Sequence, residues 1–597
     1  MNESPPDSHI VYSRSRPPEL TVRAVLTGMA LGALLTPCNI YSGLKIGWSF
    51  NMSIAAGLLG LGAWRLAGRG LGARHWGIYE NNVNQTAASS AASIISGGLV
   101  APIPAWTMLT GQTLPWPLLA FWVFTVSLLG IVVAAGLRNQ LLMRDGLRFP
   151  AGTATAVTLR EIHGQGTEAM RRLLALIAAA AVSAGLKLFD GLITALPKLT
   201  FPGSLPAIVT PKAAAPVTVS PANLGLGLDP SLLMLGFGAI IGLRAGVSLA
   251  LGAVLAWLVL GPWSLSRGWA ELGPADPDAS WFGPMVEYLL WPGVALMVVA
   301  ALTSIAISIA RILARRRDGA ARLLPTVPPR AFAAGLVLAG LLSAIAQTSL
   351  FAIEWWEAIV AVGLSFLLAM VVARVTGETG IAPIGAMGKI TQISFAVITP
   401  NNVTTNLMSA NVTGGAAGQA SDLMDDLRTG QLIGATPGFQ VVAQVFGVLT
   451  GALVGTLVYL VLVPNPAAML ITAEWPAPAV ATWKAVAEVL AQGLQSLPAA
   501  TVTAMAIGAV AGCALTLGEK LLPAKAAAFV PSATAMGLAF VIPASISFAL
   551  FAGALIAAVL TRLAPTWSSR LLIVIAAGLV AGESLAGVFL AAGDMLR

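Results

Sequence analysis

Hydrophobic residues in this chain come in long continuous runs, broken by short polar stretches rich in Gly, Pro and Arg. A spanning helix needs about 20 mainly apolar residues. Runs of that character lie near 22–42, 46–66, 78–102, 115–136, 171–193, 230–243, 244–262, 288–314, 331–350, 353–374, 381–399, 401–421, 437–463, 499–517, 527–544, 545–561 and 571–593. The pair 230–243 and 244–262 is tight. Pro383, Lys389, Thr391, Gln392 and Pro400 interrupt or bound the run 381–399, which suits a broken or re-entrant element. The pattern predicts an all-α polytopic membrane protein of about 16 transmembrane helices. The runs do not alternate, which excludes a membrane β-barrel.

Composition sharpens this. Of 597 residues, 57% are hydrophobic, 62 are Gly and only 10% are charged, where soluble domains carry about 25% charge. Mean hydropathy is +0.84. So few charges cannot cover a soluble protein of this size, which excludes a cytosolic enzyme and a disordered chain. Two cysteines, Cys38 and Cys513, make no disulfide framework. Residues 1–20 are polar and Pro-rich, and read as a cytoplasmic tail, not a signal peptide. The net charge of +8 reads as loop Lys and Arg that set orientation, so no nucleic-acid partner is expected. Arg69, Arg74, Arg138, Arg144, Arg148, Arg160, Arg171, Arg172, Arg311, Arg315, Arg316, Arg317, Arg322 and Arg330 fall in alternate loops of the first half. The intervening loops hold only Lys198, Lys212 and Arg267. The expectation is a multi-pass protein of the cell inner (plasma) membrane with its N-terminus cytoplasmic.

The chain repeats itself. Asn81-Asn82-Val83 recurs as Asn401-Asn402-Val403, with Ser89 recurring as Ser409. Pro230-Ser231, Gly236 and Ile241 match Pro531-Ser532, Gly537 and Ile542. Two repeated halves, 21–315 and 331–597, joined by a basic cytoplasmic linker 316–330, are expected. Whether they are parallel or inverted depends on whether 381–399 spans. Repeated halves with a site at their interface are typical of secondary transporters.

Polar groups in hydrocarbon are costly and therefore informative. The densest cluster is Glu80-Asn81-Asn82-Val83-Asn84-Gln85-Thr86, in which Glu80 with Asn84, and Asn81 with Gln85, share helix faces. It reads as a cavity lining; interhelical hydrogen bonding used as glue is the plainer alternative. A second cluster joins Asn402, Asn406 and Asn411 to Gln419, Asp422, Asp425 and Asp426. Its acids read equally well as a solvated helix end. Between them, the Gly- and Pro-rich stretch from Thr376 to Gln392 carries Glu378 and Lys389, as a discontinuous substrate helix does. The stretch holding Asn39, Tyr41 and Lys45 is similar in character. Glu583 stands alone in an apolar run and suits a proton-coupling site, with Glu80 and Glu378 as further candidates. The chain has no Walker-type phosphate loop. With three dispersed histidines and no CxxC, no metal site and no cofactor are called for.

At Ser53–Gly60, Glu80–Thr86, Phe149–Val157, Asp422–Gly430 and Ala581-Gly582-Glu583 the sequence resembles the oligopeptide transporter (OPT) family, with features of its yellow-stripe-like branch. The resemblance runs from about 20 to 595. It implies proton-coupled uptake of short peptides or peptide-like chelates through about 16 helices. A zwitterionic substrate needs an anion for its amine, for which Glu80 or Glu378 serves, and a cation for its carboxylate, for which Lys389 or Lys45 serves. Asn39, Tyr41, Asn81, Asn84, Gln85, Gln392, Asn402 and Asn406 complete the expected substrate contacts. The function expected is proton-coupled symport of short oligopeptides or peptide-like compounds; uptake of a metal chelate, siderophore- or nicotianamine-like, is the alternative. The partners expected are substrate, protons and the lipid bilayer; a homo-oligomer stays open. No enzymatic activity is expected.

Overall fold

The computed structural model describes residues 17–595 except 73, 165, 204, 212, 214, 315–327 and 381. Most of the expected tail and linker, with Arg315, Arg316, Arg317, Arg322 and Lys212, lies outside the described residues.

The chain is helical, as its apolar runs require. In order the helices are α1 Val22–Ile46, α2 Ser53–Leu71, α3 Ile78–Ala92, α4 Pro102–Thr110, α5 Trp116–Arg138, α6 Pro150–Gly164, α7 Gly166–Leu192, α8 Leu232–Ile241, α9 Leu243–Ala253, α10 Gly261–Ser266, α11 Phe282–Ala314 and α12 Pro329–Phe351. There follow α13 Trp355–Thr379, α14 Ile384–Ile398, α15 Val403–Ile433, α16 Pro437–Leu462, α17 Pro466–Met469, α18 Pro478–Gln492, α19 Ala499–Leu521, α20 Ala524–Ala527, α21 Ala533–Leu538, α22 Ala544–Leu563 and α23 Pro565–Met595. A two-residue hairpin, β1 Leu199–Thr200 with β2 Gly227–Leu228, closes the long loop after α7. Twelve helical segments of the described residues are long and apolar enough to cross a membrane. The run 527–544 holds only the short α21, set off from α20 by Pro531 and from α22 by Pro543, so it is no single span. Two helices that apolar runs did not announce, α6 and α18, are only 15 residues long and are interrupted by charged residues, Arg160 and Glu161 in one and Lys484 and Glu488 in the other.

Glycines fix which helices touch and in which direction. Gly28 and Gly32 of α1 pack on Ala87 and Ala91 of α3; Gly447 and Gly451 of α16 pack on the carbonyls of Ala87 and Ala91. So α1, α3 and α16 run parallel. On α23, Gly578 and Gly582 lie on the carbonyls of Leu176 and Ala180 in α7. On α19, Gly508 and Gly512 lie on those of Pro292 and Leu296 in α11. Both pairs are parallel, and each joins a helix before residue 315 to one after 331. The backbones approach so closely that no side chain fits, the usual device where hydrocarbon supplies no drive for association.

The two helices that begin at the recurring tripeptide cross at the centre. Gln419 Nε2 of α15 donates to Ser90 Oγ of α3 at 3.4 Å. Gln85 lies beside Asp426, and Gly98 packs on Asn411. Positions therefore rise along α3 as they fall along α15: the helices are antiparallel. Meanwhile α13 and α15 run parallel, with Glu357 near Thr405 and Thr376 bonded to Ser421. The intervening α14 must return the chain across the same depth. At about 1.5 Å per residue its 15 residues span only about 22 Å, so it crosses as a short helix, flanked by Gly380 and Pro383 before it and Pro400 after it.

Candidate functional site

Nearly all of α3 and α15 is buried, although neither carries an apolar stripe. Polar residues can line these helices because protein, not lipid, surrounds them. That also explains why α15 runs on to Ile433, past the aspartates that look like a helix end in sequence.

The first group of polar side chains forms where α14, α15 and α18 meet. Lys389 is 3% exposed, and its Nζ has no hydrogen-bond partner among the described residues. It lies over the Trp483 ring, 4.2 Å from the centroid. Gly388 admits the indole, whose edge fills the space a side chain there would take. Gln392 Nε2 donates to Trp483 O at 3.4 Å and Asn406 Nδ2 to Gln392 O at 2.6 Å, leaving Gln392 Oε1 and Asn406 Oδ1 buried and unpartnered. A desolvated ammonium beside free amide oxygens is chemically a receptor for a carboxylate carrying N–H groups. Nearby, Thr399 and Thr405 donate to the buried Glu357 at 2.6 and 3.3 Å, which ties the ends of α14 and α15 to α13.

The second group lies 20 residues further along α15, about 30 Å by helical rise. Here Gln85 of α3, Asp426 of α15 and Gln440 of α16 converge. Gln440 Nε2 donates to Asp426 O at 2.6 Å and to Thr86 Oγ1 at 3.3 Å. Gln85 Nε2 donates to Asn82 Oδ1 and Thr86 Oγ1 at 3.1 and 3.0 Å. Asp425 faces elsewhere: its Oδ1 accepts from Gly152 N at 3.0 Å and so caps α6.

The remaining residues expected from sequence are dispersed. Glu80 accepts from Arg23 Nε at 2.8 Å and Thr21 at 2.7 Å, and Arg23 in turn stacks on Trp64. Asn81 donates to Gly57 O at 3.0 Å and Asn84 to Ala56 O at 3.1 Å, holding α2 on α3. Asn39 donates to Ala92 O and Phe50 O. Asn402 caps α15 by accepting from Thr405 N. Glu378 lies 3.5 Å from Arg374, half exposed, away from Lys389. Lys45 donates to Glu474 O and lies over Trp475, which meets Tyr41 edge-on. Glu583 is 7% exposed and accepts from Ser231 Oγ at 2.6 Å and Leu233 N at 2.8 Å, so it caps α8. It lines a small cleft with Lys187, Asp190 and Asp229.

Of the expected set, then, Lys389, Gln392 and Asn406 come together, and Gln85 joins the second group. Sequence reasoning missed Trp483, which nothing local marks. It also missed Gln440 and Gln444, whose i,i+4 spacing in an otherwise apolar helix was a legible sign.

Comparison with known proteins places this geometry. The family model described as OPT oligopeptide transporter protein matches residues 19–593. A Haemophilus influenzae protein bearing an oligopeptide-transporter name is 25% identical over 92% of this chain and 92% of its own. A Saccharomyces cerevisiae protein with a similar name is 24% identical over 74% of this chain and 77% of its own. The iron–phytosiderophore transporter yellow stripe 1 of Zea mays is 24% identical over 95% of this chain and 89% of its own. The match runs through both polar groups and every helix that positions them: the chain belongs to the OPT oligopeptide transporter family.

Proposed function

We propose that this transporter is a proton-coupled symporter of short oligopeptides or peptide-like compounds, and that the Lys389–Trp483–Gln392–Asn406 group is where it holds the substrate. One observation carries the reading: a buried ammonium with no partner among the described residues lies on Trp483, to which Gln392 and through it Asn406 are bonded, and the side-chain oxygens of both amides also lack a partner there. A substrate carboxylate supplies the missing anion, and the N–H groups of its peptide bonds meet Asn406 Oδ1 and Gln392 Oε1. Amino-acid-derived metal chelates present the same carboxylates. The relative named for iron–phytosiderophore transport therefore keeps a chelate as the second reading.

The two halves, 21–315 and 331–597, are proposed to be inverted repeats. The antiparallel crossing of α3 and α15 supports this, as do the paired contacts α1 with α3 and α13 with α15. The N-terminus is placed in the cytoplasm of a cell whose inner (plasma) membrane holds the protein. In support, the parallel pairs put Lys520 and Arg570 on the side where α1 begins, together with Arg74, Arg138 and Arg160, as the positive-inside rule prefers.

The test is a binding screen of the purified protein by thermal shift against di- to pentapeptides, their C-terminal amides, and nicotianamine chelates of iron and nickel. Stabilisation by free-acid peptides, lost on amidation, supports the peptide reading. Stabilisation by the chelates alone selects the second. Indifference to every carboxylate ligand removes the site.

A further inference from the structure

The acids singled out in the sequence as proton carriers each have donors already. Glu80 has Arg23 and Thr21. Glu378 is within reach of Arg374. Glu583 has a hydroxyl, a backbone N–H and Lys187 across its cleft. All three are arranged to hold a carboxylate.

Asp426 is arranged differently. It is 1% exposed; its carboxyl has the Ser53 hydroxyl at 3.5 Å and the Gln85 side chain against it, and its Oδ2 has no geometrically sound hydrogen bond among the described residues. Gln85 Oε1 and Gln440 Oε1, on side chains 0% and 1% exposed, are unpartnered too. The amide hydrogens of both glutamines are engaged by Asn82, Thr86 and the Asp426 carbonyl. Three buried acceptors, Asp426 Oδ2, Gln85 Oε1 and Gln440 Oε1, thus stand at this corner without a hydrogen among the described residues, and the Nδ2 of Asn82 beside them is likewise unpaired. Buried acceptors without donors are costly, and a hydrogen on Oδ2 removes that cost for the carboxyl.

Among the described residues no cation pairs with this carboxyl. The charges that face Asp426 are those of Asp422 and Asp425 on its own helix, both acids. From α2, α3 and α16 it meets Ser53, Gln85 and Gln440, all uncharged. The α6 N–H of Gly152 is taken by Asp425. Arg428, two residues on, points its Nη1 to Gln431 Oε1. The place also suits coupling: α3 and α15 lie on opposite sides of residues 316–330 in the chain and meet here, so movement of one against the other alters this corner.

Resting on the symport reading above, we propose that Asp426 takes up and releases the coupling proton, with Gln85 and Gln440 as the amides that receive its O–H. The proton comes from water on the side where α1 ends, converts the carboxylate to the acid while substrate is carried, and returns to water on the other side. No other bond changes.

The test uses the full chain in liposomes. Infrared difference spectra between acidic and alkaline pH, without substrate, should contain a protonated-carboxyl C=O band that Asp426→Asn lacks and Glu583→Gln keeps. With trialanine as probe, Asp426→Asn should exchange labelled peptide between two filled compartments at near wild-type rate, yet fail to concentrate it on an inward proton gradient. Because Asp426→Asn can misfold, Asp426→Glu serves as a second variant and should shift the band without removing it. A band unchanged in both variants, or trialanine concentrated by Asp426→Asn as by wild type, overturns the assignment. Wild-type accumulation that needs sodium, or that ignores a protonophore, overturns the coupling reading itself and this assignment with it.

Discussion

Lys389→Met separates stability from recognition. Methionine keeps an unbranched chain against Trp483 and removes the charge. In the substrate-free protein the ammonium is 3% exposed without a partner among the described residues. Its desolvation costs several kcal/mol, of which the contact with Trp483 at 4.2 Å returns only a part, about 2 kcal/mol or somewhat more. Removing the charge should therefore leave the melting temperature unchanged or higher, the opposite of what most buried substitutions do. Binding should move the other way. Truncating one member of a buried, hydrogen-bonded charge pair costs about 2–5 kcal/mol, which at 1.4 kcal/mol per decade is roughly a 30- to 4000-fold loss of affinity. The assay is calorimetric titration of wild type and Lys389→Met with trialanine and with trialanine amide. Wild type should prefer the free acid, and the variant should bind both equally and weakly. A variant that melts lower and still prefers the free acid refutes the reasoning, because Lys389 would then be a structural cation.

Three further outcomes are expected. Asn84→Leu removes the donor to Ala56 O that holds α2 on α3 and should cost about 1–3 kcal/mol, read as a lower melting point; Gln85→Leu should abolish uptake with a smaller change in melting, and normal uptake with both replaced returns them to packing. Gly582→Leu has no room against the Ala180 carbonyl and should lower thermal stability sharply, whereas Gly185→Ala, which meets open space, should not. Burial pushes the His163 imidazole, in α6 outside the crossing segments, down to about 4 from 6.5. The unfolded chain therefore binds this proton first, so stability should fall as pH drops from about 6.5 toward 4 and level off below; His163→Gln should flatten that part of a melting-temperature profile.

Helix positions were largely legible because lipid demands continuous apolar runs, and most expected segments match their helices within a few residues. The misses have physical causes. Apolar content reports burial and not helicity, so 527–544 looked like a span although two prolines divide it. Polar content reports water only when the neighbour is water, so Asp422, Asp425 and Asp426 looked like an end in the middle of α15. Helices α6 and α18 are too short, and too interrupted by charge, for a hydropathy reading that looks for about 20 apolar residues. For the site, the polar clusters themselves stood out, but sorting them required tertiary partners. Glu80 and Asn81 are settled by Arg23 and Gly57, from other helices. Lys389 gains its meaning from Trp483, 94 positions away. Whether 381–399 crosses stayed open in sequence because Ile384–Ile398 is short and interrupted by polar residues.

The glycine-lined pairing of α7 with α23 bears on how the protein is made. The two helices are separated by nearly the whole later chain, from Leu192 to Pro565, and a ribosome adding 5–20 residues per second needs roughly 20–80 s to bridge that distance. Throughout that interval the carbonyl edge of α7 that will receive Gly578 and Gly582 has only lipid or an insertion factor beside it. The mate of α11 likewise arrives late, as α19. Neither half can finish packing by itself, so assembly must wait for the last helix, and a chain truncated before α23 should be recognised by membrane quality control as unfinished, however well its first helices are inserted.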